Sequence, residues 1–299
     1  MKHVAVVGSG IAGLAAAYLL SRRHRVSLFE RAPRLGGHTH TMVLDGDTGP
    51  QPLDTGFLVH NPRTYPNLVQ LFADLGVETR ASDMSFSVSC AASGFQFSSR
   101  GLGGFFAQPR NLTRTAHYRL LRDILRFNRE APGVLDDPGV EGSTVGAYVA
   151  ERAYTDEFVA RYLYPMASAI WSSALDDIAG FPLRTLVRFL HNHGMLAVGT
   201  HPTWRVVKGG SHVYVPRLVA PLGDGVHTGA HLASVRRAAD GVTLTFFDRP
   251  AVQADEVVFA CHGDQVLPLL ADPTDAERDV LGQFTTTTNQ TCLHTDDRA

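Results

Sequence analysis

The chain has 299 residues, 44% hydrophobic and 19% charged, with a formal net charge of −2. This is a globular composition with ample core material, long enough for about two domains. The near-neutral balance gives no electrostatic case for nucleic acid as a partner. Cys90, Cys261 and Cys292 are unevenly spaced and form no C-x-x-C. That spacing argues against a disulfide framework or a zinc site and fits a reducing, cytoplasmic compartment. No apolar run reaches the roughly 18 residues of a transmembrane helix. The apolar stretch 11–20 imitates a signal-peptide core, but the strand and glycines before it explain it better.

Residues 2–37 read KHVAVVGSGIAGLAAAYLLSRRHRVSLFERAPRLGG. Val4, Ala5, Val6 and Val7 form an apolar run too short for a helix and suited to a buried parallel strand. Gly8, Gly10 and Gly13 follow in G-x-G-x-x-G spacing. Gly8 permits the tight turn, Gly10 lets backbone approach a diphosphate, and Gly13 lets helix and sheet pack closely. A helix is predicted over 11–21. Its N-terminus, with Ser9, Gly10, Ile11 and Ala12 around it, carries free N–H groups and about half a positive charge, which suits a diphosphate. A second strand is predicted over 25–30. It ends in Glu30, 20 residues after Gly10, where an acid accepts hydrogen bonds from a ribose and repels a 2′-phosphate. The whole pattern predicts a dinucleotide site and disfavours NADP.

A loop at 61–66 leads into a helix to about residue 75, stopped by Gly76. Tyr65, Leu68, Val69 and Phe72 fall on one face and read as core. Met84, Phe86, Val88 and Cys90 alternate with serines, Ser93-Gly94 makes a turn, and 95–97 returns as the second strand of a hairpin. That hairpin is expected to begin a second domain's sheet, with Cys90 as a small buried hydrophobe. Residues 101–109 read as a loop. A helix over 112–130 gathers Leu120, Leu121, Ile124, Leu125 and Phe127 on one arc, with Arg119, Arg122, Arg126 and Arg129 opposite. The arginine face suits solvent; it also suits anionic lipid heads, as a peripheral membrane contact, or an acidic partner.

Residues 131–142 read as a flexible connection. Thr155-Asp156-Glu157 opens a helix to about residue 164, which Pro165 interrupts. Pro182 opens another, closed by Gly194, with Leu183, Leu186, Val187 and Leu190 on its apolar face. His191 and His193 diverge by roughly 200° on that helix, which favours packing over metal ligation, and no metal site is expected. A further helix is predicted over 213–222. Strands over 232–237 and 242–247 join through Asp240-Gly241. A buried strand over 255–260 ends in Ala260, followed by Cys261-His262-Gly263, where ligands of open α/β sheets sit.

The doublet Gly36-Gly37, six residues past Glu30, resembles the flavin amine oxidase and phytoene desaturase superfamily. The stretches GGHTHT (36–41), DTGFLVHN (54–61), TYPNL (64–68) and W-x-x-VKGGS-x-x-Y-V (204–215) are similar to bacterial amine-oxidase-like predicted NAD/FAD-binding proteins. The resemblance covers nearly the whole chain. It implies an α/β fold with a Rossmann-type FAD-binding domain, whose parallel sheet has a β-hairpin or meander crossover, and a discontinuous α+β substrate domain. The FAD-binding domain would comprise 1–60 and 205–271, the substrate domain 61–204 and 272–299. FAD would touch Gly8, Ser9, Gly10, Ile11, Ala12, Gly13, Glu30, Arg31, Gly36, Gly37, His38 and Thr39. Further on it would meet Gly56 and Phe57 in the D-x-G segment, Leu232 near the adenine, and Ala260. His40 shares the loop, and Asp54 would fix it.

The implied activity is an FAD-dependent oxidoreductase passing a hydride from a small-molecule, lipid-like apolar substrate to flavin N5. No catalytic residue is singled out. An amine-oxidase-type lysine would be Lys208 or lie in a part the chain lacks, because Lys2 is the only other lysine. Beside the glycines, Lys208 suits a phosphate or structural role. His38 stands where most of the superfamily has Arg. Members of the superfamily also continue past this point with a Gly-Asp strand end that holds the flavin ring. The chain is therefore expected to be a fragment or a natural truncation, with its last residues, 283–299, a strand caught in mid-course. On that expectation it binds FAD weakly and turns over little by itself. Two alternatives stay open: a non-catalytic nucleotide-binding remnant, and an NAD-dependent dehydrogenase.

Overall fold

The structure is a computed structural model that describes residues 1–46, 49–196, 202–286, 288 and 292–293. It divides into two compact units: Met1–His60 with Asn67–Ala81 and Arg205–Ala299, and Asn61–Pro66 with Ser82–Trp204. The division differs from the expected one in two segments, 67–81 and 272–299, which join the first unit. The helix Pro66–Asp74 buries Phe72 beside Tyr214, with the ring centroids 5.2 Å apart. Asp272 and Glu277 both pair with Arg237 on a strand of the first unit.

The first unit is built on a parallel sheet. Its strands lie in the order Glu256–Phe259, His3–Val7, Arg25–Phe29 and Val226–His227. Side chains alternate across a strand, and the first strand divides its residues between two cores. Val6 and Leu28 meet Leu14 and Ala17 of the helix Ile11–Ser21, together with Tyr214 and Leu218. Ala5, Val7 and Phe29 face the other way, onto Val235, Leu244 and Phe246 of an antiparallel sheet. That second sheet comprises Leu232–Ala238, Gly241–Phe246 and Val252–Ala254. Burial on both faces is why 4–7 carries no polar residue. Each such side chain contributes about 1.5–3 kcal/mol.

Several elements of this unit were not expected. Thr41–Gly46 and Gly49–Asp54 form an antiparallel hairpin in a Gly- and Pro-rich stretch without alternation. Thr79–Ala81 pairs with Arg205–Val207. The apolar stripe of Pro66–Asp74 is also rotated from the expected one. Phe72 is buried and Leu68, Leu71 and Leu75 pack on the core, whereas Tyr65 belongs to the other unit.

The second unit is mainly helical around Phe127, Phe158, Leu163 and Leu186. Leu183, Leu186, Val187 and Leu190 of the helix Leu183–Asn192 are all fully buried, and His193 stacks on Phe189. The hairpin Ser87–Cys90 and Phe95–Ser98 forms as expected, but as a two-stranded sheet of its own. It packs on the helices through Phe95 and Phe97, and Cys90 is exposed. Gly101–Phe105 is a short helix rather than a loop. Residues 131–142 are not a free connection: Ala131 and Val134 are buried in a short 3-10 turn. Thr155 does not cap its helix, because its hydroxyl donates to Asp123 at 2.6 Å. Pro165 does not interrupt the helical run, which continues to Trp171. The turn Val159–Leu163 widens to π geometry, and the proline falls where a following helical segment starts and no N–H is required. Leu125 is exposed rather than core.

The expected strand at 283–299 lies mostly outside the described residues. No helix among the described residues is long and apolar enough to cross a membrane.

Candidate functional site

The first unit contains a cavity of about 1160 Å³ at the C-terminal ends of its parallel strands. The Gly-rich turn forms one wall. Gly8, at φ +101°, lies so close to the next strand that an added Cβ would sit 2.7 Å from the Ala260 carbonyl oxygen. A Cβ on Gly13 would strike the Gly8 carbonyl oxygen, so this glycine sets how closely helix and turn pack. Gly10 has nothing within 4 Å of its Cβ position, because that side of the turn is open. Gly10 offers the helix no side-chain cap, and the first turn of Ile11–Ser21 holds no acid.

Glu30 and Ser9 hold the turn in place. One Glu30 oxygen accepts from the Ser9 N–H at 2.9 Å and the Ser9 hydroxyl at 2.7 Å. The other accepts from the Ala32 N–H at 2.8 Å. The same hydroxyl accepts from the Gly36 N–H at 3.2 Å, linking the turn to the doublet loop. Ser9 is fully buried, so its side chain is occupied by this scaffold.

The doublet loop forms the opposite wall. Gly37, at φ +56°, places its Cβ direction 3.0 Å from the Gly10 Cα, which leaves no room for a side chain. Arg34 ties the loop by donating to the carbonyls of Gly37 and Thr39. Thr39 is buried and shares a 2.6 Å hydrogen bond with the Tyr214 hydroxyl. The D-x-G segment runs alongside. Phe57 N–H donates to the His38 carbonyl and Thr55 N–H to the His40 carbonyl, both at 2.9 Å. A Cβ on Gly56 would collide with the His38 backbone.

Of the expected cofactor contacts, Gly8, Ser9, Gly10, Ile11, Ala12, Glu30, Arg31, Gly37, His38, Thr39, Gly56, Phe57, Leu232 and Ala260 all line this cavity. Gly13 and Gly36 stand behind it as packing and turn residues. Asp54 lies outside the lining and acts as an anchor: it accepts from Ser211 N–H at 2.9 Å, Ser211 hydroxyl at 2.8 Å and Thr41 hydroxyl at 2.5 Å. Lys208 is also outside it, paired with Glu78 at 2.7 Å on the surface.

Several lining residues were not named from sequence. Arg34 and Thr55 line it from the loops, and Asp264, Gln265, Pro268 and Leu269 from the segment after the named Cys261-His262-Gly263. His262 stacks parallel to His38, the ring centroids 5.7 Å apart. The strand-end rule pointed to this segment, but the pairing of residues so far apart in sequence left no local pattern. Cys261 lines the cavity, and burial pushes its thiol up, helped by Asp264 and Glu30 nearby. One Asp264 oxygen accepts from Thr286 at 2.9 Å, and its other oxygen is buried without a partner among the described residues.

The model of the flavin containing amine oxidoreductase family matches residues 11–298. The chain belongs to this family. Flavin is the family's cofactor, and the mixed α/β fold with its parallel sheet is shared with solved members. Wild-type putrescine oxidase bound to putrescine superposes with a TM-score of 0.71 at 20% identity, covering 94% of this chain and 63% of that one. The carotenoid phi-ring synthase of Streptomyces griseus is 39% identical over 150 residues, which are 44% of this chain and 26% of that protein. The 1-hydroxycarotenoid 3,4-desaturase of a Flavobacterium strain is 39% identical over 82 residues, 26% of this chain and 16% of that protein. The chain thus spans less than two thirds of each relative.

Proposed function

We propose that this flavoprotein-family chain binds FAD in the cavity of its first unit and works as an FAD-dependent oxidoreductase on an apolar substrate. The observation that carries the reading is the convergence of the open Gly10 face, the uncapped helix N-terminus, Glu30 and the Gly37 loop on one cavity. Its volume of about 1160 Å³ exceeds the roughly 300–1,000 Å³ of ordinary ligand pockets, as a dinucleotide requires. Gly10, Ile11 and Ala12 would receive the diphosphate on backbone N–H groups. Glu30 spends three of about four acceptor positions on its own turn, which leaves one for a ribose hydroxyl. Leu232 and Ala230 offer an apolar wall for a base. The unpartnered oxygen of Asp264 would be satisfied by a hydroxyl.

When bound, flavin supplies the redox chemistry by accepting a hydride equivalent from a substrate carbon. The chain's own share is to grip, orient and shield: the loops 36–40 and 55–57 brace each other and fix the walls around the ligand. Family membership favours flavin over a nicotinamide as the resident group. The names of the carotenoid relatives support an apolar, isoprenoid-like substrate over an amine.

The test has two arms. Purified protein titrated with FAD is expected to quench flavin fluorescence, and absence of binding overturns the site. The loaded protein, kept anaerobic, is then offered isoprenoid substrates and putrescine. Bleaching by the isoprenoid supports the substrate class, bleaching by putrescine alone overturns it, and bound flavin that nothing reduces favours a non-catalytic nucleotide-binding module.

A further inference from the structure

We propose that one face of the second unit, made by 100–114 and the outward stripe of the helix Thr115–Glu130, docks on an anionic lipid surface. Tyr118, Arg122, Leu125 and Arg129 recur at spacings of three and four and form one stripe along the helix. Tyr118 and Leu125 are each 48% exposed, and the arginine side chains are 63% and 78% exposed. The stripe continues into the preceding segment. The Tyr118 hydroxyl donates to the Leu112 carbonyl at 2.9 Å, and its ring packs 5.6 Å from Phe106. Leu112 is 55% exposed and Leu102, on the short helix before Phe106, 69%.

Charge selects the partner. Between Arg100 and Glu130 stand seven arginines and two acids, in a chain whose net charge is −2. Of the two acids, Asp123 is fully buried and held by Thr155 and by Arg122, and Glu130 faces Arg126 at 3.1 Å. Arg119 is engaged by Glu157 and Arg100 by Asp83, so both add little to the free charge. Arg114 is exposed and has no ion-pair partner among the described residues, while the side chains of Arg122 and Arg129, paired with Asp123 at 3.0 Å and with Glu130 at 3.8 Å, stay 63% and 78% exposed.

The interleaving decides between a bilayer and an acidic protein. Isolated exposed leucines are ordinary. Here leucine and tyrosine alternate with arginine along one stripe, the pattern of a helix lying in the interface with apolar groups below the headgroups and guanidinium groups at their level. Arginines alone would satisfy an acidic protein and give the leucines no function.

The experiment is co-sedimentation of the full chain, with FAD present, on vesicles of phosphatidylcholine and of phosphatidylcholine mixed with phosphatidylglycerol. Wild type is expected to pellet with the mixed vesicles and to be released by salt. Arg114→Glu with Arg129→Glu is expected to lower partitioning about tenfold or more. Leu112→Ser with Leu125→Ser is expected to lower it as well. Both pairs are on the surface, so thermal unfolding should match wild type. No pelleting with anionic vesicles overturns the proposal. So does a serine pair that binds like wild type while the glutamate pair fails, since that charge-only pattern marks a site for an acidic protein.

Discussion

Gly36-Gly37 and Gly209-Gly210 look alike in sequence, and all four residues have positive φ. Their surroundings differ. Gly37 lies against Gly10 at the cavity wall, where a side chain would strike the Gly-rich turn. Gly210 lies against Thr41, and the next residue, Ser211, is gripped by Asp54. The first doublet shapes a surface, and the second locks the hairpin Thr41–Gly46 and Gly49–Asp54 to the body of its unit. A glycine doublet therefore signals close backbone approach, and what approaches decides whether the role is binding or scaffold.

The largest effect is expected at Gly13, which packs against the turn that Gly37 faces. Gly13→Ala drives a methyl into the Gly8 carbonyl and is expected to cost about 3 kcal/mol of stability, with FAD binding lost, as thermal unfolding and flavin fluorescence would show. The doublets come next. Gly210→Ala should cost about 1–3 kcal/mol for its positive φ and for a methyl driven against the Thr41 side chain, with FAD affinity in the surviving folded protein unchanged. Gly37→Ala carries a similar strain but should lower FAD affinity about tenfold or more, since its methyl points at the turn proposed to receive the diphosphate. Equal effects of the two variants on affinity would erase the distinction.

Glu30→Gln is a smaller change. It offers the turn a donor where Ser9 and Ala32 need acceptors, and FAD titration should show affinity about tenfold weaker. The least effect is expected from thiol labelling followed by mass spectrometry across pH. The thiolate is the reactive form. A hydrogen bond from Ser93 holds the Cys90 thiol below its usual range, while burial holds Cys261 above it. Cys90 should therefore label at lower pH than Cys261. Added FAD should protect Cys261 at the cavity wall and leave Cys90 unchanged.

The strand, turn, helix and strand of 3–29 were legible because each is set by local periodicity and by glycines with one steric purpose. The cavity lining followed for the same reason, together with the family resemblance. The hairpin at 41–54 was hidden because its strands have exposed side chains and no alternation. Val226–His227 is too short to leave a pattern. Thr155 looked like a cap, but a buried carboxylate 32 residues earlier in the chain claimed its hydroxyl. The His38–His262 stack, the Ser9 bridge between Glu30 and Gly36, and the anchoring of Ser211 by Asp54 are tertiary pairings. Their partners stand too far apart in sequence for a local periodicity to link them.

The Ser9 bridge has a kinetic consequence. Glu30 and Gly36 are both tied to Ser9 by the chain's own hydrogen bonds, so the turn does not wait for a ligand to give it shape. Ordering a backbone residue costs roughly 1–2 kcal/mol in entropy, and for this turn that cost falls on folding rather than on binding. Association should then proceed in a single exponential phase whose rate rises linearly with FAD concentration. A loop that closed after encounter would make that rate level off.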